Sequence, residues 1–179
     1  MLALTRAALP LGLCVMAACA ARGQGSGTPA GGMAPQRGDT TVEGTVTSVG
    51  ADPFAQVVLA TASGDVGVQG ALAGEIAALQ GAVVRIWGPA AANQPPVPAR
   101  AVDVRGYDVV SVGGEPVYVG ELVRRGEEVW LVGRDRMQLA AVPTALASRV
   151  GAKVWLGGMR RGNTFEIRLF GIIREASTR

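Results

Sequence analysis

Residues 72–88 read LAGEIAALQGAVVRIWG, and residues 142–158 read VPTALASRVGAKVWLGG. Both pass from a short apolar-striped segment through Gly-Ala into a valine-rich run. In the first, Leu72, Ile76 and Leu79 recur at spacings of four and three, which sets one apolar stripe on a helix while Glu75 and Gln80 face away. In the second, Val142, Leu146 and Val150 repeat the stripe, and Pro143 suits a first helical turn because its missing N–H would be unbonded there anyway. Gly81 and Gly151 stand where a left-handed residue ends a helix and releases the chain into a strand. Ile76 then aligns with Leu146, and Val84 with Val154: one unit is written twice.

Outward from these two stretches, short runs of Val, Ile and Leu broken by Gly predict strands at 41–49, 56–62 and 65–69, a helix at 72–80, and strands at 82–88 and 99–112. The second half predicts strands at 116–123, 128–133 and 137–141, a helix at 143–150, and strands at 152–157 and 163–174. Val102-Asp103-Val104-Arg105-Gly106-Tyr107 lies over Phe165-Glu166-Ile167-Arg168-Leu169-Phe170, with Val109-Val110 over Ile172-Ile173. One face alternates apolar at period two; on the other, Asp103 and Arg105, like Glu166 and Arg168, read as outward partners.

The order strand, strand, strand, helix, strand, strand resembles that of OB-fold barrels, as found in bacterial envelope proteins. The resemblance implies a mainly β chain with two short helices: two tandem five-stranded OB-like barrels, at 41–112 and 113–179. SH3-like barrels lack a true helix between the third and fourth strands, so the two helical stripes favour the OB plan. The join at 111–115, SVGGE, is too short for a free linker. The barrels are therefore expected to pack together, which adds to the modest core each would bury alone.

Residues 1–18, MLALTRAALPLGLCVMAA, carry Arg6 and then an apolar run of about a dozen residues; a bilayer-spanning helix needs about 20, so the run fits a signal peptide instead. It ends in Val15-Met16-Ala17-Ala18-Cys19, which resembles the bacterial lipobox. That resemblance implies that Cys19 becomes the acylated first residue of the mature chain, held to a membrane by its acyl chains. With Ala20 rather than Asp after the cysteine, it implies the periplasmic side of the outer membrane in a Gram-negative host. The alternative is ordinary secretion of a soluble protein, with Ala18-Cys19-Ala20 as a small-x-small cleavage site. Residues 19–40 would then be the lipidated cysteine and a flexible tether, since ARGQGSGTPAGGMAPQRGDT at 21–40 has no apolar period.

Composition removes most catalytic chemistry. The chain has no His, and its two cysteines, Cys14 and Cys19, both lie in the leader region. Histidine bases, Ser-His-Asp triads and His- or Cys-rich zinc sites are excluded from the body. Glu127-Glu128 is a carboxylate pair, but neighbours on a strand point to opposite faces and cannot share a proton. No strand leads into GxxxxGK or GxGxxG before a helix. The expectation is a non-enzyme without metal or cofactor.

Charge gives the remaining signal. Residues 38–112 hold seven acids and three arginines, and residues 113–179 hold seven acids and eleven bases, so the halves have opposite polarity. Arg124-Arg125 fall in the turn between the first two strands of the second half, and Arg160-Arg161 in the turn between its last two. In OB-folds these turns frame the face that holds oligonucleotides or oligosaccharides. The doublets would then flank a groove for an anionic polymer, with Trp130 as a stacking surface. Competing roles are a solvated turn for the arginines and a core or seam position for Trp130, Trp155 and Trp87. Nucleic acid is not the expected ligand of an exported chain with 4% aromatic residues. An envelope protein is the other candidate partner, and a purely structural scaffold in an envelope complex is the competing function, with the Pro-rich loop at 89–98 as a contact.

Overall fold

In β10 and β11 of the second half every second side chain is buried, and the strand pairing there closes into a barrel. The computed structural model describes residues 29–51, 53–91 and 100–176; the leader, Cys19 and most of the 89–98 loop lie outside them. In the second half β9 (Tyr118–Arg125), β10 (Glu128–Gly133), β11 (Arg136–Ala140), β12 (Lys153–Arg161) and β13 (Thr164–Arg174) form a closed barrel in the order β9-β10-β11-β13-β12. Only β11 and β13 run parallel. Leu122, Val129, Leu131, Met137, Leu139, Val154, Leu156 and Phe165 point inward.

The first half contains β1 (Gly31–Gly32), β2 (Thr40–Val49), β3 (Gln56–Thr61), β4 (Gly64–Gln69), β5 (Val83–Gly88), β6 (Ala90–Ala91), β7 (Ala101–Asp103) and β8 (Gly106–Ser111). These form one eight-stranded sheet, β1-β8-β5-β2-β3-β4-β7-β6, and not the second closed barrel expected. The pairings nevertheless follow those of the second half: β2 with β3 and β5, β3 with β4, β4 parallel to β7, β5 with β8. The difference is that the single strand expected at 99–112 breaks at Val104-Arg105. Backbone bonds bridge the break, from Val104 N–H to Gln69 O at 2.9 Å and from Arg105 N–H to Trp87 O at 2.9 Å.

The helices are shorter than the stripes predicted: α1 spans Ala73–Ala77 and α2 Thr144–Ala147. Neither has a side-chain N-cap, so burial of Ile76 and Leu146, both 0% exposed, holds them. Leu79 is buried as expected, whereas Val150, the third residue of the second stripe, is 37% exposed. Gly81 (φ 79°) and Gly151 (φ 89°) take the left-handed conformation that ends each turn. The same two bonds then fasten each turn to a strand of its half, β2 in the first and β9 in the second. Gly81 N–H donates to Val46 O and Val46 N–H to Ala82 O; Gly151 N–H donates to Leu122 O and Leu122 N–H to Ala152 O.

Residues 29–40, expected to belong to a free tether, are held by the first half. Gly31 pairs with Tyr107 and Gly32 with Gly106 as β1 joins the edge of β8. Met33 N–H donates to Arg105 O at 2.9 Å, and the indole N–H of Trp87 donates to Met33 O at 2.6 Å. Arg105 approaches Asp39 at 3.7 Å rather than Asp103, and Glu166 pairs with Arg161 at 3.1 Å rather than Arg168.

The halves meet along a seam, as the short join requires. Ile173 of β13 is buried in the first-half core, with Trp155 and Val119 packed beside it. Trp155 is thus a seam residue and Trp87, 2% exposed, a core one. Glu75, expected to face away from its helix stripe toward solvent, lies in this seam instead. Its Oε2 accepts from Tyr107 Oη at 2.7 Å and Lys153 Nζ at 2.6 Å, and Arg174 Nε is 3.3 Å from Oε1. Gln80 does face out.

Candidate binding face

The seam covers the outer side of the barrel around β12 and the end of β13, and among the described residues it leaves the outer side of β10 and β11 uncovered. Register places Val123, Trp130, Gln138, Thr164 and Arg161 in one row across β9, β10, β11, β13 and β12. Four strand gaps separate its ends, on the order of 19 Å along the curved sheet. Both hairpins therefore border this face.

Each arginine doublet is split by the pleat. The doublets lie on the strands themselves, at the ends of β9 and β12, and the turns are Gly126-Glu127 and Gly162-Asn163. Gly126 (φ 61°) and Gly162 (φ 60°) supply the positive φ that a two-residue hairpin needs at its first central position. A shift of one position out of the turn puts the two members of each doublet on opposite sides. Arg125 follows the outward side and its guanidinium lies 5.8 Å from the Trp130 ring centroid, within cation–π range. Arg161 also faces out, paired with Glu166. Arg124 turns back to donate to Ala147 O at 3.0 Å at the end of α2, and Arg160 Nε donates to Gly162 O at 3.1 Å in its own turn.

Trp130 is half-buried on the outer face, and its indole N–H donates to Glu128 Oε2 at 3.1 Å. Gln138 donates to the other oxygen of Glu128 at 2.8 Å. Indole, carboxylate and carboxamide are thus joined in one hydrogen-bonded patch beneath Arg125. Glu128 is the member of the patch that the sequence pattern does not single out, beyond its adjacency to Glu127. Its position two residues before Trp130, on the same strand face, was the available signal.

Glu75 and Tyr107 form the other polar centre, at the seam. Burial pushes the Glu75 carboxyl up, but hydrogen bonds from Lys153 and Tyr107 and the charges of Lys153 and Arg174 outweigh it, so its pKa lies below the ordinary 4.5. Burial, and then the Glu75 carboxylate, push the Tyr107 hydroxyl above its ordinary 10.0, so the phenol stays a donor. Lys153 Nζ also sits 4.8 Å from the Tyr107 ring centroid. This cluster ties α1 to the barrel.

Between the halves lies a cleft of about 300 Å³, lined by apolar Val110, Val117, Leu131 and Met137 and by Asp108 and Arg134, which approach to 3.3 Å. Among the described residues no group of His, Cys, Asp and Glu comes together in a way that could hold a metal ion, and no helix is long and apolar enough to cross a membrane. No family model matches the chain, and no curated protein matches it either.

Proposed function

We propose that this chain is an exported lipoprotein, anchored through Cys19, whose folded part is a non-catalytic binding module at the bacterial cell envelope. Both halves are variants of one OB-like plan, the second closed and the first opened at Val104-Arg105. The observation that carries the binding function is the outer face of β10 and β11, with Trp130, Arg125 and Arg161 on the side that the seam leaves uncovered. An indole beside a guanidinium suits a polymer with ring faces and negative charge, so an acidic glycan is the ligand class. Arg124 and Arg160 hold the two hairpins in shape and act on the ligand only through them. The lipobox-like run before Cys19 supports the anchor.

Two experiments test this. Substituting Cys19→Ser and fractionating cells should release the protein from the membrane; retention in the membrane fraction would remove the lipid anchor. Binding of polygalacturonate, used as an acidic polysaccharide probe, should weaken steeply with added salt and weaken again in Arg125→Ala and Arg161→Ala. Binding indifferent to both salt and these substitutions would remove the face as an anion site. The scaffold alternative would show as co-purification with an envelope protein that survives high salt.

A further inference from the structure

The register of the two halves fixes which residues correspond. Val68 pairs with Val102 as Leu139 does with Phe165, and Val84 pairs with Val109 as Val154 does with Ile172. Arg105, Gly106 and Tyr107 of the first half therefore match Arg168, Leu169 and Phe170 of the second, and Trp87 and Gly88 match Gly157 and Gly158.

At the first set of positions an extended piece of chain covers the strand edge. Gly31-Gly32 pairs with Tyr107-Gly106, and Met33 is fastened to Arg105 O and to the Trp87 indole. The covering piece must be small, because a side chain at Gly31 would collide with the Tyr107 ring.

At the second set no strand lies along the edge among the described residues. β11 stops pairing with β13 at Glu166. Beyond it Leu169 is 54% and Phe170 36% exposed. Where the first half has Trp87 the second has Gly157, at which a Cβ would make ordinary contacts, with Leu169 Cβ at 3.5 Å and Val117 Cγ1 at 3.8 Å. An exposed apolar strand edge is a template for another strand, and proteins usually cover it.

We propose that the edge of β13 at Arg168, Leu169 and Phe170 receives an extended, glycine- and alanine-rich strand from a partner protein, as the matching edge of β8 receives Ala30–Met33. Main-chain hydrogen bonds to the edge supply affinity. Phe170 demands a small residue opposite it, as Tyr107 demands Gly31, and Leu169 offers apolar contact. The irregular register at Gly157/Gly158 does not block this, since the matching break at Val104-Arg105 does not block β1. The surface is separate from the β10–β11 face.

The test supplies the strand covalently. The full chain is extended after Arg179 by a glycine-serine linker and a second copy of residues 28–34, TPAGGMA, and amide hydrogen exchange is followed. Exchange at residues 168–170 should slow by about tenfold relative to the parent chain. Valine in place of the grafted glycine opposite Phe170 should abolish the protection. Unchanged exchange in the graft, with thermal unfolding showing the chain folded, would overturn the proposal, and so would equal protection by the valine graft. Slowing of the same amides by phosphatidylglycerol vesicles but not by the graft would also overturn it, assigning the patch to a lipid surface instead.

Discussion

The two halves pair their strands in the same order, yet one closes and the other opens, and the contrast rests on a few residues. In the second half Phe165 fills the barrel at the start of a continuous β13. In the first half the matching residue is Val102, and the strand breaks two residues later. At the break Trp87 lies over Gly106, whereas the second half has Gly157 beneath Leu169: large and small residues have exchanged strands. The exchange places the Trp87 indole against Gly106, from where its N–H holds Met33 of the incoming strand. A duplicated plan tolerates such a change because the helix turn, its glycine and the pair of backbone bonds beneath it are kept in both halves.

The largest effect expected from breaking this comparison is at Phe165. Phe165→Ala removes a fully buried ring that Tyr118 meets edge-on at 5.1 Å, and should cost about 3–5 kcal/mol. Val102→Ala, the matching truncation, should cost clearly less because it removes fewer buried atoms. Denaturant midpoints of both variants at equal m-value would measure the difference. Equal losses would mean that the first half depends on β7 as much as the closed barrel does on β13.

Next come the matched glycines. A Cβ at Gly88 would strike Asp103 O, and one at Gly158 would strike Glu166 O. Both obstacles are backbone, so neither can swing aside. Gly88→Ala and Gly158→Ala should each destabilise by about 1–3 kcal/mol. Thermal unfolding that finds one tolerated and the other not would show that the crossing is tight in only one half.

Much of the fold could be read from side-chain periodicity, and what could not was built from something else. The 128–133 strand matches β10 residue for residue, and Val84 and Val154 are fully buried where the alignment put them. Gly31-Gly32 was missed because it joins the sheet through backbone bonds alone, which leave no apolar pattern in a Pro-, Ala- and Gly-rich segment. Glu75 was misplaced because a helical stripe tells which residues face their own core, and not that another domain covers the opposite side. At the candidate face Trp130 and the arginines were legible as residue types. Their directions were not: a one-residue difference in where a hairpin turns exchanges inside for outside.

The seam can be sharpened through Glu75. Its pKa is lowered on folding, so the stabilisation it gives is complete above the unfolded value near 4.5 and is lost as pH falls through the lower folded value. Glu75→Gln keeps the shape and removes the charge that Lys153 and Arg174 face. It should cost about 1–2 kcal/mol near neutral pH, and the gap from the parent should shrink under acid. Urea unfolding at neutral and acidic pH checks this. A gap that stays constant would mean that Glu75 acts by packing alone.

The smallest expected effect separates the members of one doublet. Arg124 donates to Ala147 O, a carbonyl at the negative end of α2, while Arg125 lies over Trp130 on the exposed face. Removing a cation from a helix C-terminus together with its hydrogen bond costs about 0.5–1 kcal/mol. An exposed arginine without such a bond contributes about half a kilocalorie or less. Arg124→Ala should therefore lower the unfolding midpoint slightly and leave polygalacturonate binding intact at temperatures where the chain stays folded. Arg125→Ala should do the reverse. If both variants lose binding equally at unchanged stability, the pleat does not divide the doublet, and the two guanidinium groups act together on the ligand.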